Sequence, residues 1–296
     1  MNNIKVVCTK VQATFIDMFL MAIYNIYYYI IRFEVNAVRI VVKVGTSTLA
    51  YGTGNLNIKR VEELCKVISD LKNAGNEMIL VSSGAIGMGV GKLSMRERPV
   101  DLPGKQAAAA VGQCELMYTY DKLFGEYNHT VAQILLTGDV VQNKARYNNF
   151  RNTIERLLEM KVLPVVNEND SVSVSEIQIG DNDTLGAIVA GTIKADKLII
   201  LTDIDGLYTA DPRSNPDATL ITEVSEITSE IKSLGGDSVS GQGTGGMMTK
   251  LSAAEIAAES GTETIIINGK NPQALYAISE GGEFVGTRFM VKEKEK

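Results

Sequence analysis

Histidine is almost missing from this 296-residue chain, and cysteine is scarce. The single histidine, His129, lies in a polar stretch ahead of an apolar run, where a loop residue is expected. One imidazole excludes histidine triads and histidine-rich metal sites. The three cysteines, Cys8, Cys65 and Cys114, are far apart and odd in number. No CxxC or Cys/His spacing reads as a zinc site and no disulfide framework follows, so reduced thiols in a cytoplasmic protein are expected. A basic surplus is lacking too: 29 Lys and Arg against 35 Asp and Glu give a net charge of -6. Nucleic-acid binders usually carry the opposite balance, so no nucleic-acid partner is expected. A few lysines and backbone amides can still hold phosphate locally.

Two familiar phosphate-binding signatures are also missing. Residues 241–246 (GQGTGG) have the spacing GxGxxG, but no strand precedes them as a dinucleotide fingerprint requires. The run Gly245-Gly246-Met247-Met248-Thr249-Lys250 lacks the contiguous Gly-Lys-Ser/Thr of a Walker A loop. What remains is a glycine-rich loop entering a helix with Lys250 in its first turn. That is either an anion cradle or a plain flexible loop.

The hydrophobic share of 45% and charged share of 22% are ordinary for a globular protein. One segment stands apart. Residues 13–33 (ATFIDMFLMAIYNIYYYIIRF) follow Lys5 and Lys10 and are rich in Ile, Tyr, Phe and Met. A signal peptide or anchor would look similar, but Asp17 and Asn25 interrupt the run and no small-residue cleavage site follows. A centrally placed Asp costs roughly 3 kcal/mol in a spanning helix, so no membrane association is expected. Residues 1–37 read as an extension foreign to the native domain, with a GTG start codon at Val38 as the expected origin. Residues 38–296 then form the domain.

From Val38 onward, short β-branched runs alternate with helical patterns. RIVVKVG, EMILVSS, VAQILLT, VLPVVN, KLIILTD and TIIIN read as strands. Between Asn57 and Ala74, residues Val61, Leu64, Cys65, Ile68 and Leu71 share one helix face, with Gly75 as the stop. Further helices are expected over 105–124, 148–160, 184–194 and 249–260. SVSVSEIQIG (171–180) alternates polar with apolar and reads as an antiparallel ribbon. Strands alternating with helices predict an α/β fold with a mainly parallel sheet covered on both faces.

Ligands of open α/β sheets bind at the carboxyl ends of strands. Small polar residues and glycines gather there: Lys43-Val44-Gly45-Thr46-Ser47, Ser82-Ser83-Gly84-Ala85, Asn167-Glu168-Asn169-Asp170 and Thr202-Asp203. Lys43 in an apolar strand end is costly without an anionic partner, unless its stem snorkels to water. In Gly180-Asp181-Asn182-Asp183 the spacing alone favours Asp183 as the N-cap of the next helix. Asp170 could equally be a turn residue.

Taken in order, VVKVGTSTL, VSSGAIGMG, KQAAAAVGQ, AQILLT, NENDSVSVSEIQIGDNDTLGA, ILTDIDGLYTADPRSNP and GDSVSGQGTGGMMTK closely resemble the amino-acid kinase family, in its glutamate-phosphorylating branch. The likeness runs from Val38 to about Arg288. It implies a three-layer αβα sandwich and transfer of the ATP γ-phosphoryl group to the γ-carboxylate of L-glutamate, with Mg²⁺ accompanying ATP and no confident protein ligand for the metal. In the pattern of this family Lys43 and Lys250 contact the phosphates and Asp183 holds the two lysines. Ser83, Asp170 and Asn182 match glutamate-binding positions. Gly45, Thr202, Asp203 and the loop Thr244, Gly245, Gly246, Met247, Met248, Thr249 and Lys250 match the nucleotide site. Feedback by proline and a homo-oligomer are implied as well. Many relatives carry a second, RNA-binding-like domain; the tail GTRFMVKEKEK matches none of it, so the short form is expected. The rivals are kinases of the same fold acting on aspartate, acetylglutamate, carbamate or UMP, and an idle sensor of an amino acid or nucleotide.

Overall fold

The structure, a computed structural model, describes residues 37–51, 55–173, 181–236 and 246–291. From Val38 onward they belong to one compact unit, Val38–Lys296. The segment 13–33 lies outside the described residues, as do ribbon residues 174–180. The start of that ribbon is a turn rather than a strand, because the amides of Val172 and Ser173 both donate to the Asn169 carbonyl. Among the described residues no helix is long and apolar enough to cross a membrane.

Among the described residues eight strands form one sheet: β1 (Arg39–Val44), β2 (Glu77–Ser82), β3 (Val131–Leu136), β4 (Leu163–Glu168), β5 (Lys197–Thr202), β6 (Glu223–Val224), β7 (Glu263–Asn268) and β8 (Thr287–Phe289). Their order is β3-β4-β2-β1-β5-β7-β8-β6. The pairs from β3 to β7 are parallel, and β8 runs antiparallel to β7 while pairing in parallel with β6. The expected parallel sheet is there, and the short β6 and β8 close one edge with reversed direction.

The connecting helices are α1 (Thr46–Leu49), α2 (Ile58–Asn73), α3 (Ala85–Lys92), α4 (Leu102–Gly125), α5 (Asp139–Gln142), α6 (Lys144–Glu159), α7 (Asn182–Thr192), α8 (Ser229–Ser233), α9 (Met247–Glu259) and α10 (Ala274–Glu280). Local chemistry fixes their ends. The Asn57 side chain accepts from the Arg60 amide at the start of α2. Its other end closes on Gly75 at φ +102°, whose amide donates to Lys72 while that of Asn76 donates to Leu71. This double bond across a left-handed residue is why Gly stands there.

Successive side chains of a strand point to opposite faces. Ile40, Val42 and Val44 of β1 therefore join the core under α2, α4 and α10, with Leu64, Tyr120, Phe124 and Leu275. Val41 joins the core on the other face, under α6, α7 and α9, with Ile154, Leu185 and Leu251. Each Val or Ile fully buried in this way contributes about 1.5–3 kcal/mol, so β1 is firmly anchored from both sides. The result is a three-layer αβα sandwich. Lys43 shares the parity of Val41, which aims it at α7 and α9.

Candidate functional site

Parity and register assemble the site. Lys43 emerges near the carboxyl end of β1 on the face covered by α7 and α9, where its stem passes Gly186 of α7: a Cβ there would lie 3.4 Å from the Lys43 Cβ. Its Nζ meets Asp183 Oδ1 at 2.5 Å. Lys250, in the first turn of α9, meets the other oxygen, Oδ2, at 3.1 Å. Thr249 Oγ1 also donates to Oδ2 at 2.9 Å, and Gly246 O accepts from both Thr249 and Lys250. One carboxylate thus orients two ammonium groups, and Lys43, Asp183 and Lys250 are each at most 6% exposed.

Burial favours the neutral form of Asp183, but Lys43 and Lys250 outweigh it and bring its pKa down to about 2. Burial and the repulsion of Lys250 hold Lys43 below the ordinary lysine value, against the pull of Asp183. The snorkelling alternative for Lys43 is overturned, since a side chain in water would be neither buried nor paired. The N-cap expectation for Asp183 is overturned as well. The cap of α7 is Asp181, whose Oδ1 accepts from the amides of Asp183 and Thr184. With that role filled by its neighbour, Asp183 faces inward from the first turn.

One residue away, Asn182 ties two strand ends together, those of β2 and β4. Its Nδ2 donates to Ser83 Oγ at 2.8 Å, to the Ser82 carbonyl at 3.2 Å and to Asn167 Oδ1 at 3.0 Å. Ser83 is held in turn by its amide, which donates to the Val44 carbonyl of β1. Gly84 adopts φ +106°, a left-handed turn that carries the chain from β2 into α3. Of the sequence-derived substrate residues, Ser83 and Asn182 are in direct contact. Asp170 stands apart, two residues beyond β4. Burial and the neighbouring Glu168 raise its pKa to about 6, with Arg98 opposing.

The residues that the sequence matches to a nucleotide site fall at the ends of β1, β5 and α9. Gly45 precedes α1, and its carbonyl accepts from the Thr48 and Leu49 amides. Thr202 is buried at the end of β5 and donates to Asp203 Oδ1 at 3.2 Å, while Asp203 itself is exposed. Gly246 sits at the N-cap of α9, followed by Met247, half-exposed Met248, Thr249 and Lys250. Thr244 and Gly245 lie outside the described residues. Next to this group, Asp205 accepts from Asn268 Nδ2 at 2.9 Å and from Tyr208 OH at 3.1 Å. Among the described residues no group of three or more His, Cys, Asp and Glu side chains could hold a metal ion.

Sequence reasoning missed two buried side chains here. Asn167 was visible in the NEND run but drew no role, and Gln113 lies mid-helix in KQAAAAVGQ, where it carries no spacing signal. His129, read as a loop residue, is a half-buried one whose Nε2 contacts the Ser69 carbonyl at 3.2 Å. It is nowhere among the groups named above.

A buried carboxylate between two lysines, beside a helix N-terminus and at the ends of parallel strands, is suited to receive and move a phosphoryl group. Residues 38–268 match the Amino acid kinase family. A Glutamate 5-kinase of Clostridium perfringens (strain 13 / Type A) is 54% identical over 261 residues, covering 87% of this chain and 97% of that protein. A Glutamate 5-kinase of Listeria innocua is 50% identical over 264 residues, covering 88% and 95%. Solved structures with the same fold include the isopentenyl phosphate kinase of T. acidophilum, at TM-score 0.59 and 18% identity, over 85% of this chain and all of that one. A carbamate kinase from Giardia lamblia aligns at TM-score 0.60 and 18% identity, over 86% and 98%. Sequence match and strand-end chemistry agree, and the chain belongs to the amino acid kinase family.

Proposed function

We propose that this chain transfers the γ-phosphoryl group of ATP to the γ-carboxylate of L-glutamate, giving L-glutamyl 5-phosphate, the first step of proline synthesis. The observation that carries the reading is the Asp183 carboxylate, ion-paired to both Lys43 and Lys250 and one residue from the Asn182–Ser83 contact. The identity to proteins named Glutamate 5-kinase supports glutamate over other acceptors.

A carboxylate oxygen is already a nucleophile near neutral pH, so the reaction needs no strong base. It attacks the γ-phosphorus; the new bond is carboxyl oxygen to phosphorus, and the bond to the β–γ bridging oxygen breaks, releasing ADP. Catalysis of such a transfer rests on alignment and on stabilising charge spread over the moving group. Lys43 and Lys250 supply that charge from positions fixed before ATP arrives. The N-terminus of α9 turns its free amides toward the same place. Gly45, Thr202, Asp203 and residues 244–250 serve the nucleotide. Mg²⁺ enters as part of the MgATP substrate.

At the other end Ser83 and Asn182 hold the amino acid, and Asp170 takes its ammonium group. A half-buried carboxyl with a pKa of about 6 gains from a cation at that point, since the cation offsets the burial and the Glu168 repulsion that disfavour its ionised form. Proline, which shares the ammonium and α-carboxylate of glutamate, is the expected competitor there. The active species is expected to be a homo-oligomer in the cytoplasm.

The test is ATP turnover with L-glutamate, aspartate, acetylglutamate, carbamate and UMP in parallel, with hydroxylamine present to trap acyl phosphate. Glutamate-dependent hydroxamate is the expected result. Turnover confined to another member of the panel would replace the substrate. Silence with all five, from folded protein, would leave a sensor.

A further inference from the structure

Gln113 is a buried glutamine in the middle of α4, 9% exposed, and it takes no part in the chemistry above. Its Oε1 accepts from Asn167 Nδ2 at 2.8 Å. Its Nε2 is buried with no hydrogen-bond partner. Burying an amide donor unpaired costs free energy, and apolar side chains fill the same helix face at Leu116, Tyr120 and Phe124. A polar residue here calls for a reason.

The contacts supply one. A backbone N–H can only donate, and the Glu168 amide donates to Asn167 Oδ1 at 2.9 Å. That fixes which end of the Asn167 amide is oxygen. Its Nδ2 must then donate, and Gln113 Oε1 receives it. Asn182 Nδ2 donates to the same Asn167 oxygen and to Ser83 Oγ. Ser83 Oγ therefore accepts from inside the protein, and its own proton is left to donate outward. The amide chain ends in a hydroxyl presented as a donor, which is what a substrate carboxylate needs.

We infer that Gln113 is a positioning residue for amino-acid binding, acting through Asn167 and Asn182 on Ser83. The inference rests on the glutamate reading above. The torsion that turns an asparagine amide is broad and roughly two-fold, so one anchor leaves the group free to swing. Glu168 N–H anchors the oxygen end of Asn167, and Gln113 anchors the nitrogen end. Without the second anchor the Asn167 oxygen drifts from Asn182, and Asn182 loses its hold on the hydroxyl. Their side-chain hydrogen bonds run to one another, to the Glu168 amide and to the Ser82 carbonyl, so the effect belongs to one substrate alone.

The experiment is steady-state hydroxamate kinetics on the full chain carrying Gln113→Met, Asn182→Ala, or both. Gln113→Met keeps length and apolar fit but replaces the amide oxygen with a thioether, at best a weak acceptor. Its glutamate KM is expected to rise about tenfold or more, with kcat and the ATP KM within about threefold of the unchanged protein. In the Asn182→Ala background the same change is expected to be silent, because residues acting in one chain are not additive. An unchanged glutamate KM, an equal rise in the ATP KM, or full additivity in the double variant would each overturn the role. If Gln113→Met does not fold, Gln113→Ala, which also lacks the acceptor, carries the same expectations and contradictions, and Gln113→Glu serves beside it as the conservative rescue. Burial keeps the new carboxyl neutral and its carbonyl still accepts from Asn167. A glutamate KM within about threefold of normal supports the role, and one as high as in Asn182→Ala contradicts it. The unchanged chain separates the two levels: no glutamate-dependent hydroxamate from it would sink the substrate assignment, whereas normal turnover with an indifferent Gln113→Met would sink only the positioning role.

Discussion

Asp183 is the residue on which the proposed chemistry depends, because it is shared. Two lysines converge on its two oxygens in a space that water hardly reaches. Removing the carboxylate leaves two buried cations facing one another, and breaking a buried pair in this way costs about 3–5 kcal/mol. Asp183→Ala is therefore expected to lose stability as well as turnover, seen as a lower denaturant midpoint. Lys250→Ala behaves differently: Lys43 still neutralises Asp183, so the fold persists while kcat falls about 10²–10³-fold. A purified, folded Lys250→Ala with near-normal kcat would take that lysine out of the transfer step.

The two aspartates also separate by pH, in opposite senses. The depressed value of Asp183, about 2, means that its ion pairs add stability above the ordinary carboxylate range, lost only as pH falls toward 2. Asp170 is raised to about 6, so it favours the folded state fully below the ordinary carboxylate range, and that contribution is lost as pH rises through 6. For the proposed contact with the substrate ammonium, the ionised form of Asp170 is the useful one. The glutamate KM should accordingly climb, up to tenfold per pH unit, as pH drops below about 6, with the ATP KM flat. Asp170→Asn should raise KM at neutral pH and abolish the inflection. An inflection that survives in Asp170→Asn belongs to another group.

At the level of elements, two helices meet so closely that only glycine fits. A Cβ on Gly112 of α4 would fall 1.7 Å from the Ala85 carbonyl oxygen and 2.4 Å from the Gly89 nitrogen of α3. One on Gly89 would fall 1.8 Å from the Ala108 oxygen. Backbone atoms cannot give way as a flexible side chain can, so Gly112→Ala must push α3 aside. Because α3 begins two residues after Ser83, that shift reaches the substrate end before the phosphate end. Gly112→Ala is expected to raise the glutamate KM well above its effect on the ATP KM, alongside a loss of about 1–3 kcal/mol in stability. Equal effects on both substrates would mean that the helix pair supports the fold generally.

The strand runs were legible because β-branched periodicity is a local signal, and every strand from β1 to β5 and β7 lies where RIVVKVG, EMILVSS and their counterparts place it. Helix ends drifted by a few residues where capping was the only cue, as with α6, which starts at Lys144 on an Asn143 cap, earlier than the sequence pattern begins. The helix α3 went unseen because a glycine-rich run carries no helical signal; the close fit of Gly89 against Ala108 of α4 is a tertiary reason for glycine there. The reversed β8 and two-residue β6 have too little sequence to show periodicity. In the site itself, Lys43, Asp183 and Lys250 were legible as a set through the motif order, but the Gln113–Asn167 bond joins residues 54 apart, which no spacing rule reaches. The cap at Asp181 is local, yet two aspartates two residues apart compete for it and spacing alone does not choose between them.

For the molecule as a whole, the family match and the compact unit both begin at Val38. Val38–Lys296 produced without the preceding residues is expected to keep kcat and both KM values within about twofold. A marked loss would give residues 1–37 a part in the working protein. The central claim concerns one bond, from a glutamate carboxyl oxygen to phosphorus, and isotope labelling tests it most directly. Glutamate bearing ¹⁸O in its γ-carboxylate, ATP and hydroxylamine would be turned over, and the released phosphate followed by ³¹P NMR. Hydroxylamine attacks the acyl carbon, so the account predicts phosphate carrying one ¹⁸O from the carboxylate. Unlabelled phosphate released in step with ADP would show that water had taken the phosphoryl group, and would contradict the account.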